Sequence, residues 1–369
     1  MTRIATLLLA LALVGACGDT GNDDKNPLQE EPTDPTDPED PDAEPDPDPD
    51  TDPDTGEPID SDGRLPPGTA SPTPTEGIFR KEPLDEEAGN GFARELSYDG
   101  DSDTFFVQGL AFDGDQPDGA AFSRSALGSL TSAGSPGQAF ALYEAPITNP
   151  DFFTGEQIGQ FQHRALYGVG DDTEFAIVRT GSYVPYGFGG FVYQRDGDVV
   201  LPTEGQAVYR GLYGGLRDFD GAGGLESVSG DAQVTIDFGG FQGNCEGARC
   251  ADAVSGFIAN RRVYDASGQE VTSDILTAIN EDQGTALTRL PTLNMRVGPG
   301  VLDANGEITG EIDSIVDGTA FETGNYYAIM SGDHTSGGEI VGIVVVEATD
   351  PRFEGSVTVR ETGGFIVDR

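Results

Sequence analysis

The chain has 369 residues, a formal charge of −45 at pH 7 and a pI of about 4.1. That charge excludes nucleic acid and anionic membrane surfaces as partners and leaves a cationic partner or simple solvation in salt. Fifty-three glycines, no tryptophan and few long helical patterns point to an all-β chain with many turns.

Met1 to Cys17 reads MTRIATLLLALALVGAC. Arg3 precedes an apolar run from Ile4 to Val14, then small residues, then a cysteine. The run is too short to cross a bilayer as a helix, so residues 1–16 read as a secretory signal. Val14-Gly15-Ala16-Cys17 resembles the bacterial lipobox, in which cleavage precedes the cysteine. The resemblance implies that Cys17 becomes the lipidated first residue, anchoring the protein to a membrane without spanning it. Gly18, not aspartate, follows; in the enterobacterial sorting pattern that implies the outer membrane, with the protein at the cell surface or facing the periplasm.

Residues 17–75 alternate carboxylate with proline, as in Asp34-Pro35, Asp37-Pro38, Asp46-Pro47 and Asp48-Pro49. Self-repulsion extends such a chain, proline favours polyproline II, and little apolar surface is available to order it. A disordered acidic tether is expected, reaching about 170 Å if roughly 55 residues extend at ~3.1 Å each.

Residues 76–202 read as a smaller β-rich domain. Strand patterns occur at Thr104 to Phe112, Phe161 to Tyr167, Phe175 to Arg179 and Phe188 to Tyr193, with a short helical pattern near Phe122 to Leu130. Two roles are open to the aromatic run Tyr183, Tyr186, Phe188, Phe191 and Tyr193: a ligand-recognition loop, because Tyr gives wide contact with few rotamers, or filling for a small core. Asp99, Asp101 and Asp103 alternate as in a calcium loop, without the later glutamate and flanking helices of an EF-hand.

From residue 203 to 369 strand signals follow one another closely. Ala207 to Tyr213, Ala232 to Phe238 and Ala253 to Tyr264 form a meander joined by Gly-rich turns. Further strands are expected at Thr288 to Val297, Glu307 to Asp313, Asn325 to Met330, Glu339 to Glu347, Ser356 to Arg360 and Gly364 to Asp368. One helix interrupts them, with Val271, Ile275, Leu276 and Ile279 on one face and Thr272 or Ser273 as cap. About eight antiparallel strands without edge protection favour an eight-stranded antiparallel β-barrel, which removes exposed edges.

Tyr209-x-Gly211-x-Tyr213-x-Gly215, Gly230-x-Ala232-x-Val234-x-Ile236-Asp237-Phe238 and Val254-x-Gly256-x-Ile258 resemble the β-barrel of transferrin-binding protein B and its lipoprotein relatives. Gly324-Asn325-Tyr326, Gly332 and Glu339-x-x-Gly342 continue the resemblance. It implies a barrel preceded by a smaller handle domain, in a surface lipoprotein of Gram-negative bacteria that binds host proteins or other solutes. Transferrin binders have two such lobes, and this chain has room for one. No loop here matches a transferrin-contacting loop, so transferrin is not carried over.

Cys245 and Cys250 flank a Gly-containing turn, and in an exported protein they are expected to form a disulfide closing a short loop. Asp333, His334 and Ser336 lie side by side, whereas a hydrolytic triad converges from separate elements. The sequence therefore reads as a monomeric, non-enzymatic binder of an unidentified solute or protein, with no cofactor. A structural envelope lipoprotein without a specific ligand is the competing class.

Overall fold

The strict alternation after Gly230 folds as its period dictates: Ala232, Val234, Ile236 and Phe238 are buried, while Gln233, Thr235 and Asp237 stay partly exposed. A computed structural model describes residues 65–68, 72–87, 89–93, 95–108, 120–130, 140–145, 153–154, 163–181, 186–241, 254–296 and 301–369. The signal, Cys17, the tether to residue 64, Tyr183, Cys245 and Cys250 lie outside the described residues. The described residues belong to one compact unit.

The first sheet holds eight antiparallel strands: β1 (Ile78–Lys81), β2 (Glu95–Asp99), β3 (Thr104–Gln108), β4 (Ala120–Leu130), β5 (Phe140–Glu144), β6 (His163–Val169), β7 (Thr173–Thr180) and β8 (Gly189–Arg195). Their order is β1-β8-β7-β6-β5-β4-β3-β2, a meander whose first strand closes beside the last. The helical pattern near Phe122 is corrected to a strand, because β4 is paired on both sides, by β3 and β5. Pairing covers Ala120–Arg124 and Ser129–Leu130, with an irregularity between Arg124 and Ser129, and these sheet contacts outweigh a short local helical pattern.

Short β9 (Val199–Val200) leads into β10 (Gln206–Asp220), β11 (Glu226–Asp237), β12 (Val254–Tyr264), helix α1 (Thr272–Gln283), β13 (Leu293–Met295), β14 (Glu307–Val316), β15 (Thr319–Asp333), β16 (Glu339–Thr349) and β17 (Thr358–Asp368). Strands β10 to β17 pair each with the next, and β17 pairs with β10. The cylinder is closed by eight antiparallel strands, with the short β13 pairing three residues of β12 and two of β14.

Three details differ from the sequence reading. Ser356 to Arg360 and Gly364 to Asp368 are one strand, not two, because Gly363 and Gly364 lie in its middle rather than in a turn. The strand expected from Thr288 to Val297 shortens to Leu293–Met295. The Thr272 hydroxyl does not cap α1: it accepts from the Val263 amide at 2.9 Å, and Val271 at the N-cap makes no side-chain cap.

One core fills the barrel, formed by inward residues such as Tyr209, Ile258, Ile308, Met330, Ile340 and Phe365 together with Ile275 and Ile279 of α1. The helix thereby plugs one barrel end. A second core joins the two sheets, with Phe140, Leu166, Phe175 and Phe191 meeting Leu212, Leu216, Ile329, Val341 and Ile343. Strands β15, β16, β17 and β10 are thus buried on both faces, which explains the unbroken apolar run from Ile340 to Val346. Away from that cover the outward positions are mostly polar, with Gln233, Ser255 and Glu311 at least partly exposed and Phe257 and Ile315 as apolar exceptions. A membrane-spanning barrel needs an outward apolar band there. Among the described residues no helix is long and apolar enough to cross a membrane.

Candidate functional site

The aromatic run sits at the seam between the sheets. Phe191 stacks on Tyr327 at 6.3 Å, and Tyr193 is 1 % exposed; both belong to the shared core. The Tyr186 hydroxyl lies 2.7 Å from Thr358 Oγ1, and its ring carries the Arg360 guanidinium 4.4 Å from the centroid. Phe188 meets Phe92 edge-on at 5.1 Å. Of the two roles open to this run, these four rings take the packing role. Burial withdraws Tyr186, Phe191 and Tyr193 from any external ligand, so the recognition-loop expectation is corrected for them.

The acidic triplet is also committed elsewhere. Asp103 receives two bonds from Arg124, at 2.6 and 2.7 Å, and one from the Tyr143 hydroxyl at 2.8 Å. These donors hold its carboxyl well below the usual carboxylate range. Asp99 accepts from the Asp101 amide and the Ser102 hydroxyl. The Asp99 carboxylate closes a turn and the Asp103 carboxylate makes an ion pair, and no metal-holding cluster of acidic, His or Cys residues occurs among the described residues. The calcium expectation is corrected accordingly. His334 does not join Asp333 and Ser336 in a triad: its Nδ1 lies 2.7 Å from the Tyr209 hydroxyl, while Asp333 accepts from Thr335 and Ser336. Burial pushes the His334 imidazole down to about 4 and the Tyr209 phenol up to about 12.

At the barrel end under α1 the lumen is ionic. Arg261 donates to Glu322 at 2.8 and 2.6 Å and to Glu361 at 3.1 Å, and Tyr213 donates to Glu361 at 2.8 Å. Arg217 donates to Glu226 at 2.8 Å; Arg352 joins Glu226 at 2.7 Å to Asp350 at 2.6 Å. Burial alone would raise the Glu322 carboxyl, but Arg261 with Ser314 and Arg217 outweighs it and the group titrates below its usual value. The space left in this layer is about 20 Å³, far below what a solute needs. At this end, among the described residues, side chains pack the lumen shut.

A bulge decides which arginine enters it. Ser229 pairs with Arg262 and Asp231 with Ala259, so Gly230 alone opposes Asn260 and Arg261. Asn260 adopts φ 53°, and the extra residue shifts the side-chain parity of β12. Arg261 turns inward at 3 % exposure, and Arg262 turns out.

Beside this bulge the outer wall and α1 enclose a cleft of about 630 Å³. Ser229, Arg262, Thr272, Ser273, Thr288 and Arg289 contribute to its lining, with Asp231 and Glu270 also present. Arg262 reaches Glu270 only at 4.0 Å with both half-exposed, and Arg289 has no hydrogen bond or ion pair among the described residues. The N-terminal turn of α1 opens on the same cleft, bringing the positive end of the helix dipole. Sequence periodicity missed this site because strand, bulge, helix and the 288–289 segment meet only in the fold.

No family model matches the chain, and no curated protein matches it. Among solved structures the chain is similar to a double mutant of the vaccine antigen transferrin-binding protein B from Haemophilus parasuis Hp5. That match has 12% identity and a TM-score of 0.36, over 79% of this chain and 45% of that one. It is similar also to intact Ap-TbpB, with N and C lobes, at 10% identity and a TM-score of 0.31, over 79% and 46% of the two chains. The likeness read from the barrel motifs is to transferrin-binding protein B. A structure named only as a surface lipoprotein is similar at 10% identity and a TM-score of 0.25, over 54% of this chain and 79% of that one. The chain spans less than half the length of the transferrin-binding protein B structures it matches. At this level the likeness says nothing of a ligand, and the barrel rests on its own strand pairing.

Proposed function

We propose that this chain is a lipid-anchored outer-membrane protein, held through Cys17, that carries a handle (76–202) and barrel (203–369) on an acidic tether and binds a solute or protein partner from its external surface. The observation that carries the reading is the 630 Å³ cleft on the barrel wall, beside a lumen occupied by core side chains. A filled cylinder offers no lumen route, so recognition falls to loops and the outer wall. Binding rather than catalysis is supported by the separation of His334 from Asp333 and Ser336.

Hydrogen exchange of the full chain, with and without growth-medium or host extracts, tests the binding reading. Protection at barrel loops or cleft segments is expected; no protection anywhere overturns it in favour of a purely structural lipoprotein. The mass of the mature N-terminus tests the anchor: an acylated Cys17 is expected, and an unmodified cysteine overturns it. Protease shaving of intact cells should remove the domain, and its survival would place it facing the periplasm.

A further inference from the structure

We infer that the cleft between the β11–β12 bulge and α1 is a binding site for a small oxyanion, a carboxylate or phosphate group gripped by Arg262 and Arg289. This deepens the external-surface reading and rests on it. The case starts from how the chain places its few cations. Only 20 basic residues accompany 65 acidic ones. Most described arginines meet carboxylates directly, among them Arg80 with Glu307 at 2.7 Å, Arg179 with Glu82 at 2.8 Å and Arg360 with Asp218 at 2.7 Å. In a chain so rich in acid, a guanidinium without a carboxylate is the exception. Arg195, Arg210 and Arg369 also lack a carboxylate but bond carbonyl oxygens instead. Among the described residues Arg289 has neither, Arg262 meets Glu270 only at 4.0 Å, and both line one concave surface.

The rest of the lining suits the same chemistry. Hydroxyls of Ser229, Ser273 and Thr288 supply donors that adapt to an oxyanion, and the Arg fork matches a planar carboxylate or a phosphate with two bonds. The helix terminus adds positive potential without a side-chain cap competing for it, offset in part by Asp274 in its first turn. Arg261, below the cleft, is locked to Glu322 and Glu361, so its charge is neutralised and the recognising groups are the outer two. Asp231 and Glu270 limit the site to ligands whose anionic group is compact, because a large polyanion would meet them. Net negative charge elsewhere does not cancel the local attraction at physiological salt, where the Debye length is about 8 Å.

The test is calorimetric titration of the full chain at about 150 mM salt with citrate, with inorganic phosphate and with a neutral polyol of similar size. Saturable binding of citrate or phosphate but not of the polyol is expected, and the two anion arms distinguish a carboxylate from a phosphate ligand. Arg289→Gln and Arg262→Gln should each raise Kd about tenfold, the size of one lost charge-assisted contact. Among the described residues Arg289 has no partner to lose, so the denaturation midpoint of Arg289→Gln should match the parent and separate lost binding from lost fold. No saturable anion binding, or binding unchanged in both variants, overturns the assignment. Exchange protection of the cleft segments by an extract that contains neither anion, with no response to citrate or phosphate, overturns the oxyanion assignment alone and leaves external binding standing. Absence of protection by any extract removes both.

Discussion

Tyr213 and Gly363 fit together inside the barrel wall: the Tyr213 ring occupies the space that a Cβ on Gly363 would fill, and its hydroxyl donates to Glu361 at 2.8 Å. The neighbouring Gly364 faces the other way, where the Phe175 ring of the first sheet takes the equivalent space. Two adjacent glycines in β17 thus admit one ring from inside the barrel and one from outside. Gly363→Ala should cost about 1–3 kcal/mol by overpacking. Urea denaturation checks it, and a midpoint equal to the parent would mean that the ring moves freely.

Arg261 and Arg262 are adjacent in sequence and opposite in consequence. Arg261→Met leaves Glu322 and Glu361 buried without their shared guanidinium, and should cost about 3–5 kcal/mol. Arg262→Met removes an exposed pair at 4.0 Å and should cost under about 1 kcal/mol. Equal losses for the two would contradict the parity shift made by the bulge at Asn260.

Stability should fall as the solution is acidified, in two overlapping stages. His334 is depressed from 6.5 to about 4 in the folded state, so between those values the unfolded chain binds more protons and stability drops with falling pH. Glu322 and Asp350 are lowered in the folded state, so their contribution is present above the ordinary carboxylate range and is lost as pH falls through their lower folded values. His334→Gln should flatten the first stage and leave the second. A parent whose denaturation midpoint is constant from pH 7 to about pH 4 would contradict the neutral, buried imidazole.

Calcium should not stabilise the fold. Asp103 is already bonded by Arg124 and Tyr143, so chelator treatment and millimolar calcium should leave the melting temperature of the full chain unchanged. A calcium-dependent rise that Asp99→Asn abolishes would reinstate the acidic turn as a metal site.

Period-two alternation and Gly-marked turns were enough to read an all-β chain and the barrel strands after residue 203, because side chains of a strand face alternately in and out whatever lies beyond. The Asp/Pro composition and the leader pattern likewise act locally. The run from Ile340 to Val346 also carried a legible sign, unbroken apolarity, that the wall there is covered on both faces. The fate of Phe191 and Tyr193 was not legible: an aromatic looks the same to periodicity whether it meets solvent or Tyr327 of another sheet. Nor was the inward turn of Arg261, since one residue in left-handed backbone at Asn260 reverses the parity of everything after it. The cleft depends on that reversal. Bulge, helix terminus and Arg289 are brought together by the closing of the barrel, and no local pattern encodes a distance across it.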